Sequence, residues 1–562
     1  MKRALFFLLT TTIFCKAQNN LPQDYFSFPL EITPVLAGTF AELRSNHFHS
    51  GLDIKTQQRE GLKVNASANG FVSRIKVSHY GYGKALYIEH PNGYTTVYAH
   101  LQKFSPEIEA YVKKRQYAAE SFEIELFPRA EELPVNKNEL IAYSGNTGGS
   151  AGPHLHFEIR DQNQHPMNPM LFGIDAKDTT KPHIKSIYAY ALNDSSFVNN
   201  SNSRQQIRLI PLQNGDYTTE SIQAIGDIGF GIEANDRQDY APNSNGVDNI
   251  QTFFNGTQNF EIDFKKFSFD ESSHINQLID YGHYTQSKKR IQKLFKINND
   301  LSLYKLAIND GFLNIQDSTN SVYKIKVKDY KDNETTITIN IEGKHSELNI
   351  PYEEKTTPYH ILANQPTNLK AGNVSVDFYR NTFYEDFYID FEVYNDTLKL
   401  HDDVLPTKRN FTITFDISKY LDKDKSKLFI SRLVGYKKNY PVYSGSKIKG
   451  NMISTNTKTL GTYALSVDST PPTIKFRNFK NGQWISNYRY LKLKIDDKDS
   501  GISNYRATVN GKWILMEYDY KTNTLTHDFH DGIVTDVKNN LKVIVTDNVG
   551  NSTTFESEFY RK

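Results

Sequence analysis

The chain has 562 residues, which is enough for three to five domains that each bury a hydrophobic core. Its 66 basic and 64 acidic residues are mixed along the sequence and give a formal charge of +2, so no strongly basic face for nucleic acid is indicated. The single cysteine excludes a disulfide within the chain and a metal site built from several thiolates.

The first 17 residues have the pattern of a secretory signal peptide. Two basic residues are followed by an apolar run from Ala4 to Phe14 and then by the small residue Ala17, after which we expect cleavage. Lipid attachment at Cys15 is the alternative, although the bulky Phe14 is unfavourable where a small residue is expected. No later segment is apolar for long enough to form a transmembrane helix, so we expect an exported protein that is periplasmic, held in the outer envelope or secreted.

Residues 18–177 are predicted to form a compact, mostly antiparallel β domain. Short runs rich in β-branched and aromatic residues alternate here with Gly and Asn-Gly turns, as in Gly70–Val77 and Ala85–Glu89. The pattern changes over about residues 104–134, where the sequence is charged and partly helical. We interpret this stretch as an insertion over one side of the domain, and whether it narrows a substrate groove is left open.

An internal repeat organises the rest of the chain. The segment Asp178–Ile184 recurs as Asp468–Ile474, and the later segment Val327–Thr336 parallels Val545–Thr554. Strands at short intervals with Asn-Gly and Asp-rich turns are typical of β-sandwiches, and both copies resemble bacterial immunoglobulin-like domains. The predicted modules are immunoglobulin-like β-sandwiches at residues 178–344 and 468–562, with a third β-sandwich at residues 345–467.

The predicted fold class is therefore mainly β: an antiparallel β domain with a partly helical insertion, followed by about three β-sandwich modules. One helix is predicted inside the first module over Ser287–Phe295, where apolar residues follow an amphipathic pattern. We expect this helix to cover the sandwich, and binding of a partner is the alternative. The C-terminal modules are also candidates for contacts with other envelope proteins.

Three short segments carry residues suited to a catalytic metal site. Such a zinc site needs about three nitrogen or oxygen ligands and one open position. His49 and Asp53 are four residues apart, His154 and His156 share one face of a predicted strand, and His100 ends another predicted strand. Each segment alone is a weak indication, and their combination makes the case for a metal site.

These segments resemble the three-part signature of the lysostaphin-type zinc endopeptidases, peptidase family M23. The resemblance covers about residues 35–170 and rests on Asn46–Ile54, Tyr98–Leu101 and Ser144–Glu158. It implies one zinc ion per chain, bound by His49, Asp53 and His156. It further implies that His100 and His154 act on the water and on the transition state, and which of the two is the base is left open.

The function implied by the resemblance is an exported zinc metalloendopeptidase that hydrolyses peptide bonds in peptidoglycan cross-links or stem peptides. Two neutral imidazoles and one carboxylate would leave a zinc site with a net charge near +1, which lowers the pKa of bound water from 15.7 toward about 7. The alternative is a catalytically inactive scaffold that binds cell wall or activates another hydrolase. Inactive members usually lose a ligand or a catalytic histidine, and none is missing here.

Several neighbouring residues keep two interpretations. His47 could replace His49 as a ligand, although it lacks an Asp four residues later. Glu158 could orient a ligand or simply be solvated. The Gly145–Gly152 loop is better suited to a peptide groove than to a phosphate, since no Gly-Lys-Ser/Thr follows it. No tyrosine stands just upstream of His49, where some relatives supply an oxyanion donor.

Overall fold

The computed structural model describes residues 21–345, 356–435 and 439–562, so the expected signal peptide lies outside the described residues. The described part of the chain is mainly β, as predicted, and contains no helix long and apolar enough to cross a bilayer. Every sheet takes its strands from one of four stretches. We call these stretches the N-terminal domain (residues 21–177), the first β module (178–345), the middle β module (356–467) and the last β module (468–562).

The N-terminal domain is built on two antiparallel sheets. Its elements are β1 (Leu36–Gly38), β2 (Leu52–Lys55), β3 (Lys63–Asn65), β4 (Gly70–Val77), β5 (Lys84–Glu89), β6 (Thr95–Ala99), β7 (Leu101–Phe104), α1 (Pro106–Ala119), β8 (Ile124–Leu126), β9 (Pro134–Val135), β10 (Leu140–Ser144), β11 (His154–Arg160) and β12 (Pro166–Met167). The larger sheet has the order β1-β2-β11-β6-β5-β4-β8, with β12 beside β11 and β9 beside β4. The smaller sheet has the order β3-β10-β7. Strand β11 therefore lies at the centre of the larger sheet, between β2 and β6.

The insertion contains the one long helix of the N-terminal domain. Helix α1 begins after Ser105, with Pro106 in its first turn, and ends at Ala119, because the next residue, Glu120, has a left-handed φ of 45°. It buries Ile108 and Val112 against the domain. Its opposite side faces the last β module, where the Tyr117 hydroxyl donates to an Asp531 carboxylate oxygen at 2.7 Å. The insertion thus joins two parts of the molecule.

The first β module forms one extended, mostly antiparallel arrangement of thirteen strands. Its elements are β13 (His183–Ala191), β14 (Phe197–Val198), β15 (Gln205–Ile207), β16 (Leu209–Pro211), β17 (Tyr217–Thr219), β18 (Ile222–Asn235), β19 (Asn249–Phe254), β20 (Thr257–Asp263), α2 (Ile275–Leu278), α3 (Tyr281–Ser287), β21 (Gln292–Lys293), β22 (Tyr304–Ala307), β23 (Leu313–Ile315), β24 (Asn320–Lys328) and β25 (Glu334–Gly343). The long strand β18 pairs with five others, β13, β14, β21, β23 and β25.

The prediction of a helix over Ser287–Phe295 is wrong. Helix α3 instead ends at Ser287, because Lys288 takes a left-handed φ of 62°. The chain then extends and pairs β21 with β18. The apolar residues after Lys288 have the spacing of a helix but are buried in an extended segment, where the Phe295 ring lies over Gly229. Pairing with an existing strand here outweighs a helical pattern of barely two turns.

The middle and last β modules each place a hydrophobic core between two sheets. The middle elements are β26 (His360–Ile361), β27 (Thr367–Ala371), β28 (Val374–Phe378), β29 (Phe387–Tyr388), β30 (Phe391–Tyr394), β31 (Thr397–Leu400), β32 (Phe411–Asp416), α4 (Asp422–Lys425), β33 (Leu428–Val434), β34 (Tyr440–Ser444), β35 (Ser446–Lys449), β36 (Met452–Thr457) and β37 (Gly461–Val467). The last are β38 (Thr473–Phe476), β39 (Gln483–Trp484), β40 (Tyr490–Asp496), β41 (Ile502–Val509), β42 (Lys512–Trp513), β43 (Glu517–Asp519), β44 (Thr524–Asp528), β45 (Lys538–Asp547) and β46 (Ser552–Tyr560).

One hydrophobic core runs without a break from the N-terminal domain into the first β module. Phe267 of the module packs on two aromatic residues of the N-terminal domain, with ring centroids 5.3 Å from Phe40 and 5.4 Å from Phe48. All three side chains are at most 3% exposed. The two parts therefore share buried apolar surface, which is the main source of stability in a folded chain.

The last β module returns to the N-terminal domain through polar and aromatic contacts. Lys84 is buried, and its ammonium group lies 2.7 Å from Glu517 of the module. Arg506 pairs with Glu120 at 2.6 Å, and the rings of Tyr117 and Trp513 meet edge to face at 5.2 Å. A buried ammonium group is costly without a counter-charge, so the Lys84–Glu517 pair favours this arrangement.

Candidate metal centre

Strand register brings the candidate residues together. In the pairing of β11 with β2, His156 lies opposite Asp53, and in the pairing of β11 with β6 it lies opposite Ala99, the residue before His100. His154 is two residues before His156 and therefore lies on the same face of β11. All five histidine and aspartate positions predicted from the sequence, including His49 just before β2, converge on one end of the larger sheet.

Three side-chain atoms form a compact group of metal-ligand type. The Nε2 atom of His49 lies 3.0 Å from Oδ1 of Asp53 and 3.1 Å from Nδ1 of His156, and the last two atoms are 2.9 Å apart. Ligands of a tetrahedral zinc ion with bonds of about 2.0–2.1 Å lie about 3.3 Å apart. Among the described residues, this group of two imidazoles and one carboxylate could hold a metal ion.

The spacing of His49 and Asp53 depends on the glycine between them. A Cβ atom on Gly51 would lie 2.2 Å from the carbonyl oxygen of Phe157, which is closer than real Cβ contacts allow. Gly51 lies midway between His49 and Asp53 in the sequence. The structure shows that its lack of a side chain also lets this segment lie directly against β11.

Hydrogen bonds fix which ring nitrogen each histidine of the group presents. The Nδ1–H of His49 donates to the carbonyl oxygen of Thr39 at 2.6 Å, which leaves Nε2 as the free lone pair. The Nε2–H of His156 donates to Glu158 at 2.8 Å, which leaves Nδ1 as the nitrogen that faces His49 and Asp53. Partners of this kind orient metal-binding imidazoles and raise their basicity.

Glu158 is fully buried, which excludes the solvated alternative. Besides His156, its carboxylate accepts hydrogen bonds from Ser50 at 2.6 Å, from Arg160 at 2.6 Å and from the Tyr82 hydroxyl. Burial opposes its charge, but Arg160 and His156 outweigh burial and hold the pKa of Glu158 well below its usual range. Against the effect of burial, hydrogen bonds to Asp53 and to Glu158 and the charges of both raise the pKa of His156 to about 9. Without a metal ion the ring therefore carries a proton at each nitrogen, and metal binding would displace the proton at Nδ1.

His100 and His154 stand beside the group with matching orientations. Their Nδ1 atoms donate to backbone carbonyl oxygens, of Thr147 at 2.8 Å and of Gly152 at 2.9 Å. Their rings are 4.8 Å apart, and Nε2 of His154 lies 3.3 Å from Oδ1 of Asp53. In the neutral form, each ring therefore presents a bare Nε2 that can accept a proton.

His100 is held in an unusual environment. Its φ of 57° is left-handed, and its ring is buried. Burial, followed by repulsion from His156 and His154, lowers the pKa of His100 to about 3. At neutral pH the ring of His100 is therefore uncharged.

The group opens into a cavity of about 900 Å³. Residues 104–134 contribute nothing to its walls, so the charged insertion does not narrow this cavity. His47 reaches the wall but bonds the Ser45 carbonyl oxygen at 2.8 Å and lies outside the three-residue group. Of these two histidines, His49 is the one that belongs to the group that could hold a metal ion.

Sequence reasoning missed residues that shape the site from more distant positions. Tyr82 lies 5.2 Å from His156 between ring centroids, and its hydroxyl reaches Ser50 at 2.9 Å as well as Glu158. Arg44 contacts Oδ2 of Asp53 at 3.2 Å and so leaves Oδ1 to face the imidazoles. The glycines on both sides of Tyr82 were the one sequence signal, since they mark a tight turn near the site.

The first and last β modules each contact a segment that forms hydrogen bonds with the site histidines. The backbone N–H of Gly246 in the first β module donates to the Thr39 hydroxyl at 3.0 Å, and Thr39 accepts the bond from His49. In the last β module, the Lys521 ammonium group donates to the carbonyl oxygens of Asn146 and of Ser150, the latter at 3.1 Å. These contacts fix the loop that bonds His100 and His154.

Comparisons with known proteins place this site in a recognised domain. Residues 47–125 and 129–169 match the model of peptidase family M23, and residues 358–468 match that of a Zu5-like domain. The chain is 34% identical over 139 residues to the DD-carboxypeptidase/endopeptidase Mpg of Neisseria meningitidis serogroup B, which is 25% of this chain and 26% of that protein. It is 31% identical over 139 residues to the peptidoglycan DD-endopeptidase ShyB of Vibrio cholerae, 25% of each chain.

Among solved structures, a zinc-containing peptidase from Vibrio cholerae matches 28% of this chain and 41% of its own, with 26% identity and a TM-score of 0.20. The chain thus spans about a quarter of the length of the curated relatives given above. The matched part contains all five residues that converge at the site.

Proposed function

We propose that this chain, which carries a peptidase family M23 domain at residues 47–169, is an exported zinc metalloendopeptidase that hydrolyses peptide bonds of peptidoglycan. The observation that carries the proposal is the group formed by His49, Asp53 and His156, whose three potential ligand atoms lie 2.9–3.1 Å apart. Peptidoglycan enters as the substrate because it is named for ShyB, a relative over this domain.

The donor set suits zinc. Two imidazole nitrogens and one carboxylate oxygen with an open side toward the cavity are a typical catalytic set for this ion. Thr39 and Glu158 already direct the required nitrogens inward. When bound, zinc supplies Lewis acidity that polarises a peptide carbonyl and makes water more acidic.

The chain's own residues then position and move protons. His154 and His100 each hold their proton at Nδ1 by a backbone carbonyl, so Nε2 is the atom that accepts a proton from water. Once protonated at Nε2, the same ring can donate to a developing oxyanion or to the leaving amine. Both imidazoles can thus serve as base and as donor, and their fixed orientation favours a single path for the proton.

The cavity supports a peptide substrate. Its walls include residues 149–153 together with polar and apolar side chains, as is usual in cavities that bind ligands. Phe269 of the first β module also lines the cavity, so that module contributes to its shape.

Digestion of purified peptidoglycan tests the proposal. The zinc-loaded protein should release muropeptides with newly freed peptide ends, detected by mass spectrometry, and 1,10-phenanthroline or the His156→Ala variant should abolish the release. His183→Ala, which removes an exposed histidine that does not line the cavity, is the matched control and should cleave normally. Binding to peptidoglycan without any released fragment would instead support the inactive scaffold.

A further inference from the structure

A second group of acidic residues lies where the first β module joins the N-terminal domain. Asp178 precedes β13, Asp236 follows β18 and Asp329 follows β24, and one carboxylate oxygen from each lies within 4.8 Å of the others. Asp236 and Asp329 are buried. Three carboxylates at this separation repel one another strongly unless a cation or protons neutralise them.

The small cavity beside these residues contains an oxygen that lacks a partner. Gln238 is 4% exposed, its side-chain oxygen has no hydrogen-bond partner, and it lines the same cavity as Asp178 and Asp236. One carboxylate oxygen of Asp236 is likewise buried without a partner. A buried amide oxygen without a donor is costly, and a bound cation would satisfy it.

The lining of the cavity favours a positive ion. It includes the carboxylates of Asp178, Asp236 and Asp248, and no Lys or Arg side chain belongs to it among the described residues. The cavity measures about 20 Å³, which is room for about one ion or one water molecule. The chemistry is thus concentrated negative charge and neutral oxygen atoms around a space of ionic size.

We propose that Asp178, Asp236, Asp329 and Gln238 bind one Ca²⁺ ion. Calcium takes six to eight oxygen ligands from carboxylates, amide carbonyls and water in flexible geometry, and all four side chains offer such atoms. No nitrogen or sulfur ligand belongs to the group, which makes it a poor zinc site and separates it from the centre at His49. Magnesium is the competing occupant, since it also takes oxygen ligands but demands a more regular octahedron.

The position of the site gives the ion a structural role. Thr39, Phe40 and Asn168 of the N-terminal domain line the same cavity, and the Tyr330 hydroxyl next to Asp329 donates to the carbonyl oxygen of Met170. A calcium ion here would fasten the connecting segment at Asp178 to the first β module. Thr39 lines this cavity and also accepts the hydrogen bond from His49, so the calcium site would be one residue away from the proposed zinc ligand.

The internal repeat provides a matched control. In the last β module, Asp468, Asp497 and Asp547 occupy the equivalent positions, and their oxygens also lie within 4.8 Å of one another. This second group lies far along the chain from the junction at Asp178. Asp497→Asn therefore makes the same chemical change as Asp236→Asn, in the equivalent place of the other module.

Calorimetric titration of the zinc-loaded full chain with CaCl₂ tests the proposal. Asp236→Asn should bind one equivalent of Ca²⁺ fewer than the unaltered protein, whereas Asp497→Asn should retain the equivalent that Asp236→Asn loses. Calcium should also raise the melting temperature of the unaltered protein by a few degrees, because it binds only the folded state. The absence of any calcium binding, or equal binding by Asp236→Asn, would overturn the proposal.

Two further measurements keep the result interpretable. Zinc content and circular dichroism show whether Asp236→Asn is folded. If it is not, Gln238→Met is the alternative test: it replaces the amide group that carries the unpartnered oxygen and should weaken Ca²⁺ binding. Unchanged affinity in a folded Gln238→Met would exclude Gln238 as a ligand and overturn the site as stated. Titration with MgCl₂ should give weaker binding, and tighter binding of Mg²⁺ would overturn the assignment to calcium.

Discussion

The five converging side chains form two groups with different neighbours. His49 and His156 each direct one ring nitrogen at the other and at Asp53. His100 and His154 each form a hydrogen bond through Nδ1 to the loop at residues 147–152. Ligand loss and proton transfer should therefore separate experimentally.

His156→Ala should lose both zinc and cleavage, because a site with three protein ligands has none to spare. His154→Ala should retain most of its zinc while cleavage slows by about 10²–10⁴-fold, the usual worth of general acid or base catalysis. Zinc content and cleavage rate are measured on the same preparations. Full zinc occupancy in a folded His156→Ala, or complete loss in His154→Ala, would reverse the two assignments.

Glu158→Gln tests the residue behind the candidate ligand His156. The amide keeps the shape of the side chain but removes the charge that His156 and Arg160 share. Zinc affinity should fall about 10- to 100-fold, as is typical when a partner of a metal-binding histidine is altered. Competition with a chromophoric chelator measures the affinity.

Glu125→Gln is the matched control for this change, since Glu125 pairs with Arg74 at a partly exposed position away from the site. It should leave zinc affinity unchanged. Equal affinities in Glu158→Gln and the unaltered protein would show that the carboxylate only fills space.

At the residue level, sequence patterns located the five converging side chains because those residues lie within short motifs. They did not locate Thr39, Arg44 or Tyr82, whose roles depend on contacts across the fold. A carbonyl oxygen such as that of Thr39 leaves no trace in residue type. The individual roles at the metal centre stay predictions until the variants are measured.

At the level of elements, strands were easier to foresee than the inserted segments. Strand β4 coincides with the predicted run Gly70–Val77, because its β-branched and aromatic residues are flanked by turn residues. The predicted helix at Ser287–Phe295 failed because the segment is extended: Gln292 and Lys293 pair with β18, and the apolar residues beside them are buried. The local periodicity of the segment could not show that β18 would be available to pair with it.

Lys521, in the turn after β43, contacts the loop that forms hydrogen bonds with His100 and His154, so its side chain is expected to affect catalysis. Lys521→Met keeps the apolar stem but removes the donor to Asn146 and Ser150. Zinc content should stay constant while the rate of cleavage falls, by up to about 10²-fold if the loop moves the imidazoles by 1 Å. Cleavage of a defined peptide measures the rate.

Lys494→Met, at an exposed position of β40 in the same module, is the control and should cleave at the normal rate. A normal rate in Lys521→Met as well would mean that the loop keeps its geometry without the last β module.

At the scale of the whole molecule, the continuous core predicts that the N-terminal domain is not stable alone. A chain ending at residue 177 would expose Phe40 and Phe48, which pack on Phe267. Each buried aromatic side chain is worth about 1.5–3 kcal/mol, so the free energy of unfolding should fall by several kcal/mol. Chemical denaturation followed by far-UV circular dichroism measures the free energy of unfolding.

A chain ending at residue 467 keeps Phe267 and serves as the comparison, and its N-terminal domain should unfold near the midpoint of the full chain. Equal midpoints for the chain ending at residue 177 would show that the shared core contributes little. The division into four domains was inferred from the repeat and stays a prediction. The shared core could not be inferred, since contacts between modules leave no periodic pattern.

The contact between Lys521 and Ser150 also sets an order of events during synthesis, because the two residues are 371 positions apart. At 5–20 residues per second, a ribosome reaches Lys521 about 20–75 s after it has passed Ser150. During that interval the nascent chain already contains His49, Asp53 and His156 but lacks the donor that fixes the loop beside them. The complete arrangement around the site therefore arises late, and a chain that stops early carries the candidate metal-binding residues without this support.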